Sequence, residues 1–145
     1  MKEVIITLVT LFFVSCNVTN DSSNSLVNFQ SSQHSYALGD SVTVVLQNDS
    51  KQSILYGNPF TVEQKIQGEW KNIGPSVTFT LIGYNLEPGD KTKYRFALTD
   101  SSDLFPNHLF SEGQYRVITE VEVQGENRTL ISNSFDVSAM IQQNN

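Results

Sequence analysis

The sequence predicts an all-β domain, a Greek-key β-sandwich of about seven or eight short antiparallel strands preceded by a cleaved export signal. Three observations predict it. From Gln114 to Val123 the chain alternates, with Tyr115, Val117, Thr119, Val121 and Val123 on one face and Gln114, Arg116, Glu120 and Glu122 on the other; Ile118 alone breaks the pattern. Clusters of Gly, Pro, Asn and Asp punctuate the chain at the short intervals of a strand-turn-strand protein, and no stretch beyond the signal carries a helical period. The run Leu109-Phe110-Ser111-Glu112-Gly113 turns a corner just before Tyr115, the arrangement of a tyrosine corner, whose ring enters the core while its hydroxyl bonds back to backbone, here near Ser111. Gly113 and Tyr115 are the structural residues of that corner.

In chain order, Met1-Lys2-Glu3 is a short charged start, and Val4 to Val14 is apolar except for Thr7 and Thr10. That is the length of a signal-peptide core and too short to span a bilayer. The segment closes on Phe13-Val14-Ser15-Cys16, which resembles the bacterial lipoprotein signal, with Phe13 where that pattern usually has Leu. The resemblance implies a signal peptide over residues 1–15 and lipidation of Cys16, palmitate included, as the new N-terminus; an ordinary secretory signal with an incidental cysteine is the alternative. Cys16 is the only cysteine, so no internal disulfide braces the fold. Residues 16–25 form a flexible polar tether, because Asn17 to Ser25 is nearly all Asn, Ser, Thr and Asp and has too little apolar surface to offset chain entropy.

The folded domain spans residues 26–139, with a disordered tail over 140–145. Leu26 to Phe29 is a short apolar run, Tyr36 to Asp40 a turn approach, and Ser41 to Leu46 a strand with Val42, Val44 and Leu46 inward. Further strands are predicted at Ile54 to Tyr56, Phe60 to Ile66, Trp70 to Ile73 and Val77 to Leu81, separated by Gly57-Asn58-Pro59, Gln67-Gly68-Glu69 and Gly74-Pro75. Leu86-Glu87-Pro88-Gly89-Asp90 signals a turn, after which Tyr94, Phe96 and Leu98 alternate. A last strand runs from Arg128 to Val137, joined to the alternating stretch by Gly125-Glu126-Asn127.

From Val42 to Val123 the chain resembles a family of bacterial Ig-like domains found in exported proteins. The resemblance rests on Val42 to Ser50, on Tyr56-Gly57 before Phe60 to Glu63, on Gly68-Glu69-Trp70, on Leu86 to Gly89, and on Leu109 to Gly113 followed by Tyr115-Arg116. It implies an immunoglobulin-like sandwich in an extracytoplasmic setting and assigns no reaction. A weaker similarity is to bacterial proteinase-inhibitor domains.

Charge narrows the function classes. With 9 Lys and Arg against 15 Asp and Glu, and a net charge of −6, the chain lacks the basic footprint that nucleic acid or an anionic surface calls for. His34 and His108 are far apart and read as surface histidines; Asp100, Ser101, Ser102, Asp103 and His108 share a loop with no nucleophile elbow. No catalytic residue, metal or cofactor is assigned, though a turn aspartate could sit in a weak calcium loop. Trp70 reads as core rather than as a ligand-stacking ring. Arg116 reads as a solvated or cross-strand partner.

The segment from Thr99 to Phe110 is longer and more apolar than a connection needs. Either its side chains fold back as a lid on the open end of the sandwich, or Leu104 and Phe105 stand proud as a partner-binding loop. The leading function is a non-enzymatic binding or accessory module, lipid-anchored to the membrane at the bacterial cell envelope and meeting a protein or envelope partner. A proteinase inhibitor presenting an exposed loop and a small hydrolase are the alternatives.

Overall fold

The computed structural model describes residues 26–75, 82–99, 103–106 and 108–139. The signal segment, Cys16, the tether, the strand expected at 77–81, Asp100 to Ser102 and the tail lie outside the described residues. Ten strands and no helix are found within them: β1 Val27–Ser31, β2 Ser35–Ala37, β3 Ser41–Asn48, β4 Ile54–Ile66, β5 Glu69–Gly74, β6 Gly83–Leu86, β7 Lys91–Ala97, β8 Gly113–Val123, β9 Glu126–Ile131 and β10 Phe135–Ser138. One sheet has three strands in the order β1-β3-β7. The other has seven, in the order β2-β10-β8-β4-β5, with β6 also on β4 and β9 also on β8.

The sheets pack face to face because each presents an apolar row at period two. Val42, Val44 and Leu46 of β3 are fully buried, as are Val62 of β4 and Tyr115 and Val117 of β8. Phe60 of β4 reaches across to Tyr94 and Phe96 of β7, both at 5.9 Å between ring centroids, so aromatic contacts knit the two layers.

Several strands differ from the sequence expectation, each for a physical reason. Gly57-Asn58-Pro59 does not separate two strands; it is a bulge inside β4. Tyr56 pairs with Val121 and Phe60 with Thr119, so residues 57–59 oppose Glu120 alone. The insertion keeps the inward phase, since Ile54 before it and Phe60 and Val62 after it are all buried. Two core hydroxyls hold it: Tyr94 donates to the Gly57 carbonyl at 2.8 Å and Thr119 to the Pro59 carbonyl at 2.9 Å. Burial pushes the Tyr94 phenol pKa up, which keeps it a donor.

Tyr36 belongs to a strand rather than to a turn approach. The chain leaves the first sheet after β1 and enters the second as β2, which lies parallel to β10, the one parallel pair among otherwise antiparallel strands. The turn follows at residues 37–40, where Asp40 Oδ2 accepts the Ala37 N–H at 2.8 Å. Leu86 ends β6, which pairs with Ile54 to Gly57 ahead of the bulge. The expected last strand is broken in two at Ser132, whose Oγ accepts the Val117 N–H at 2.9 Å in place of a carbonyl. The two tight hairpins turn on Gln67-Gly68 and Gln124-Gly125, with φ of 52° and 87° and of 57° and 79°, so Gln takes the left-handed position usually held by Asn or Asp.

Candidate binding groove on the seven-stranded sheet

The bulge in β4 opens a groove of about 370 Å³ on the outer face of the seven-stranded sheet. Leu55, Pro59, Ile82 and Ile118 supply apolar lining, and Glu120 and Glu122 line it from β8. Leu55 is 39% exposed and Ile82 49%, and Ile131, which pairs with Ile118 across β8 and β9, is 50% exposed. Gly83 makes the close approach possible: a Cβ there would lie 3.0 Å from Leu55 Cδ1. Tyr84 leans on Tyr56 at 5.6 Å beside it. The single sequence signal for this site is Ile118, the apolar residue out of phase in β8; Leu55 joins it through the pairing of β4 with β8, and Ile82 through the approach of the chain just before β6.

Further along the same face lies a polar cluster. Trp70 is not a core residue: it pairs with Lys65 on the outward register of β4 and is only half-buried. The Arg116 guanidinium sits 4.3 Å from the centre of its ring, and Arg116 Nε donates to Glu63 Oε2 at 2.7 Å. Lys65 Nζ is 5.7 Å from the same ring. The indole is thus already stacked by the protein's own cations, a fit the local sequence could not show because Arg116 comes from a distant strand.

At the corner, the Tyr115 hydroxyl donates to the Ser111 carbonyl at 2.7 Å and accepts the Ser111 N–H at 3.2 Å. Gly113 has φ 147°, a conformation that favours glycine, and a Cβ there would meet Gln64 Nε2 at 3.4 Å. Phe105 does not stand proud. It is 1% exposed and packs on Phe96 and Phe110, at 5.6 and 5.1 Å. Leu104 is half-buried against the core, and the exposed apolar side chain of the segment is Leu109, at 71%. His34 is exposed, but His108 is not a plain surface histidine. Its ring sits edge-on to Phe110 at 4.9 Å, its Nε2 is buried without a hydrogen-bond partner among the described residues, and desolvation holds its pKa below the ordinary histidine value.

Residues 23–137 match the family described as "Bacterial Ig-like domain". No curated protein matches the sequence. Among solved structures, the chain is similar to an alkylpurine DNA glycosylase of Pseudomonas fluorescens bound to DNA containing an abasic site analog (16% identity, TM-score 0.43, covering 79% of this chain and 31% of that one). It is also similar to a β-glucosidase of Erythrobacter marinus (17% identity, TM-score 0.40, 77% and 15%). A third is the sporulation control protein Spo0M of Bacillus subtilis (16% identity, TM-score 0.38, 79% and 49%). The chain spans less than half the length of each of these three.

Proposed function

We propose that this chain, which belongs to the bacterial Ig-like domain family, is a non-enzymatic binding or accessory module of the cell envelope, held outside the cytoplasm by lipid on Cys16. Removal of a signal peptide over residues 1–15 leaves Cys16 at the mature N-terminus, and two kinds of acyl attachment there make a stable anchor. The polar run that follows supplies reach, and a Greek-key sandwich supplies a rigid body to present a surface.

The observation that carries the reading is the groove at the β4 bulge, where Leu55 and Ile82 leave apolar area in water beside Glu120 and Glu122. Exposed apolar area of this kind on a small domain marks an interaction site. Its acidic lining favours a protein segment that is apolar with a basic flank.

The anchor is tested by metabolic labelling with a fatty-acid analogue and by fractionation: wild type carries label and sediments with membrane, while Cys16→Ser is unlabelled and soluble or unprocessed. A blank wild-type band removes the anchor. The groove is tested by affinity capture from the native envelope with wild type and with Leu55→Ser/Ile82→Ser. Recovery of the same partners by the double variant, at an unchanged melting temperature, removes the groove from the reading.

A further inference from the structure

The opposite face of the molecule is built differently. β1, β3 and β7 contain no Asp or Glu, yet β7 alone carries Lys91, Lys93 and Arg95, three of the protein's 9 cations in a chain of net charge −6. Strand alternation points all three away from the core, because the residues between and beside them, Tyr94 and Phe96, are buried. All three are exposed, and the ion pairs among the described residues, Arg116 with Glu63 and Arg128 with Glu126, involve none of them.

Strand pairing extends each charge into a polar row. Lys91 lies beside Gln47, which lies beside Asn28; Lys93 lies beside Val45, then Gln30; Arg95 lies beside Thr43. Off the end of β3, Asp49 accepts the Gln47 amide at 2.6 Å, and Asp90 lies in the turn just before Lys91. A groove of about 420 Å³ runs over this face, lined among others by Asn28, Gln30, Gln47, Lys91 and Lys93.

We propose that the outer face of the three-stranded sheet binds a linear anionic polysaccharide, with Lys91, Lys93 and Arg95 meeting successive acidic groups and Asn28, Gln30 and Gln47 meeting sugar hydroxyls. Residues two apart on one side of a strand are about 6.8 Å apart, a ladder of charge that suits a repeating anionic chain rather than a single ion. Side-chain amides donate and accept at once, which is what a hydroxyl-rich ligand requires. A membrane surface fits less well, since Val45, the apolar side chain amid the charges and amides, is half-buried, and Leu26, 41% exposed, stands alone just before β1. Single-stranded nucleic acid fits less well too, since no aromatic ring lies on the outward positions of these strands for a base to stack on. This site lies on the other sheet from the β4 groove and stands or falls independently of it.

The experiment measures binding of the full chain to a polyuronate, with neutral dextran, phosphatidylglycerol vesicles and a single-stranded oligonucleotide as the other arms. The polyuronate should bind, dextran should not, and raised salt should weaken the complex. Lys91→Gln/Lys93→Gln/Arg95→Gln should weaken binding roughly tenfold, the effect of three exposed charge contacts. Lys65→Gln/Lys71→Gln/Arg128→Gln, which removes as much charge from the other sheet, should change it less than about twofold. Lys65, Lys71, Lys91, Lys93 and Arg95 are exposed and Arg128 is half-buried, so a melting curve of each variant, expected to stay cooperative, separates lost binding from lost fold. Equal loss in the two triple variants would reduce the effect to net charge and overturn the proposal. So would absent polyuronate binding, or vesicles or oligonucleotide bound at least as tightly as polyuronate.

Discussion

At the end of the sandwich where β8 begins, closure is aromatic, whereas at the end where β3 finishes it rests on one amide. Phe110 lies 6.2 Å from Phe96 and 6.0 Å from Tyr115, and Tyr115 stacks on Phe135 at 6.1 Å, with Phe105 filling the space between Phe96 and Phe110. At the opposite end Asn48 is fully buried. Its Nδ2 donates to the carbonyls of Gln52 and Leu86, both at 2.8 Å, and its Oδ1 accepts from the N–H and hydroxyl of Ser50, at 3.0 and 2.6 Å. Its own backbone binds the turn, with its N–H donating to Asp90 at 3.0 Å and its carbonyl accepting from Gly89 at 2.7 Å. Apolar closure spreads its energy over many weak contacts and degrades by degrees, while a saturated amide concentrates it in directional bonds that must all be made together. The two ends should therefore fail differently.

The largest break comes from the aromatic end. Phe105→Ala empties a fully buried ring site and should cost about 3 to 5 kcal/mol in chemical denaturation; a cost below about 1 kcal/mol would mean the segment does not close that end. Asn48→Ala should cost somewhat less, roughly 2 to 3 kcal/mol, by leaving the buried Leu86 carbonyl and the Ser50 groups short of partners. Asn48→Asp is the sharper test of direction, since it fills the same space but cannot donate to Gln52 and Leu86. A near-neutral Asn48→Asp would show that shape, not bonding, closes the second end.

The unequal legibility of the two ends follows from the same contrast. Period-two apolar rows need only local sequence, so Val42, Val44 and Leu46 and the β8 alternation could be read directly. Asn48 reads locally as a turn residue after a strand, and nothing nearby says that its amide will meet Leu86. The β4 bulge is hidden in the same way: Gly57 and Pro59 look like a break, and the Tyr94 and Thr119 hydroxyls that keep the strand continuous come from β7 and β8. β2 and β6 are too short to announce themselves and exist through pairing with β10 and β4. The groove showed only in Ile118, and the basic face only as alternation in β7. That β1 and β3 bring no carboxylate beside it is a fact of pairing.

A smaller effect sharpens the boundary between the two kinds of closure, because Tyr115 belongs to the aromatic end yet also carries directional bonds. Tyr115→Phe keeps the stacked ring and removes both bonds to Ser111. The expected cost is about 1 to 2 kcal/mol, several degrees in melting temperature for a domain of this size. An unchanged melting curve would assign all of the corner's stability to its ring.

The smallest effect is a pH dependence confined to the aromatic end. His108 packs edge-on to Phe110 with a buried Nε2 that has no hydrogen-bond partner among the described residues, so a proton there would bring charge into an apolar site with nothing to receive it. Burial accordingly holds its folded pKa below the ordinary 6.5. Above 6.5 the residue is neutral in both folded and unfolded chains, and the contribution to stability is whole. As pH falls through that value the unfolded chain takes up the proton first, so stability declines until the folded pKa is passed and both states are charged. Between about pH 7.5 and about pH 5.5 wild type should therefore lose more stability than His108→Leu. Parallel curves for wild type and His108→Leu would show that the imidazole accepts its proton without leaving the aromatic cluster, and would place the acid sensitivity of the domain elsewhere.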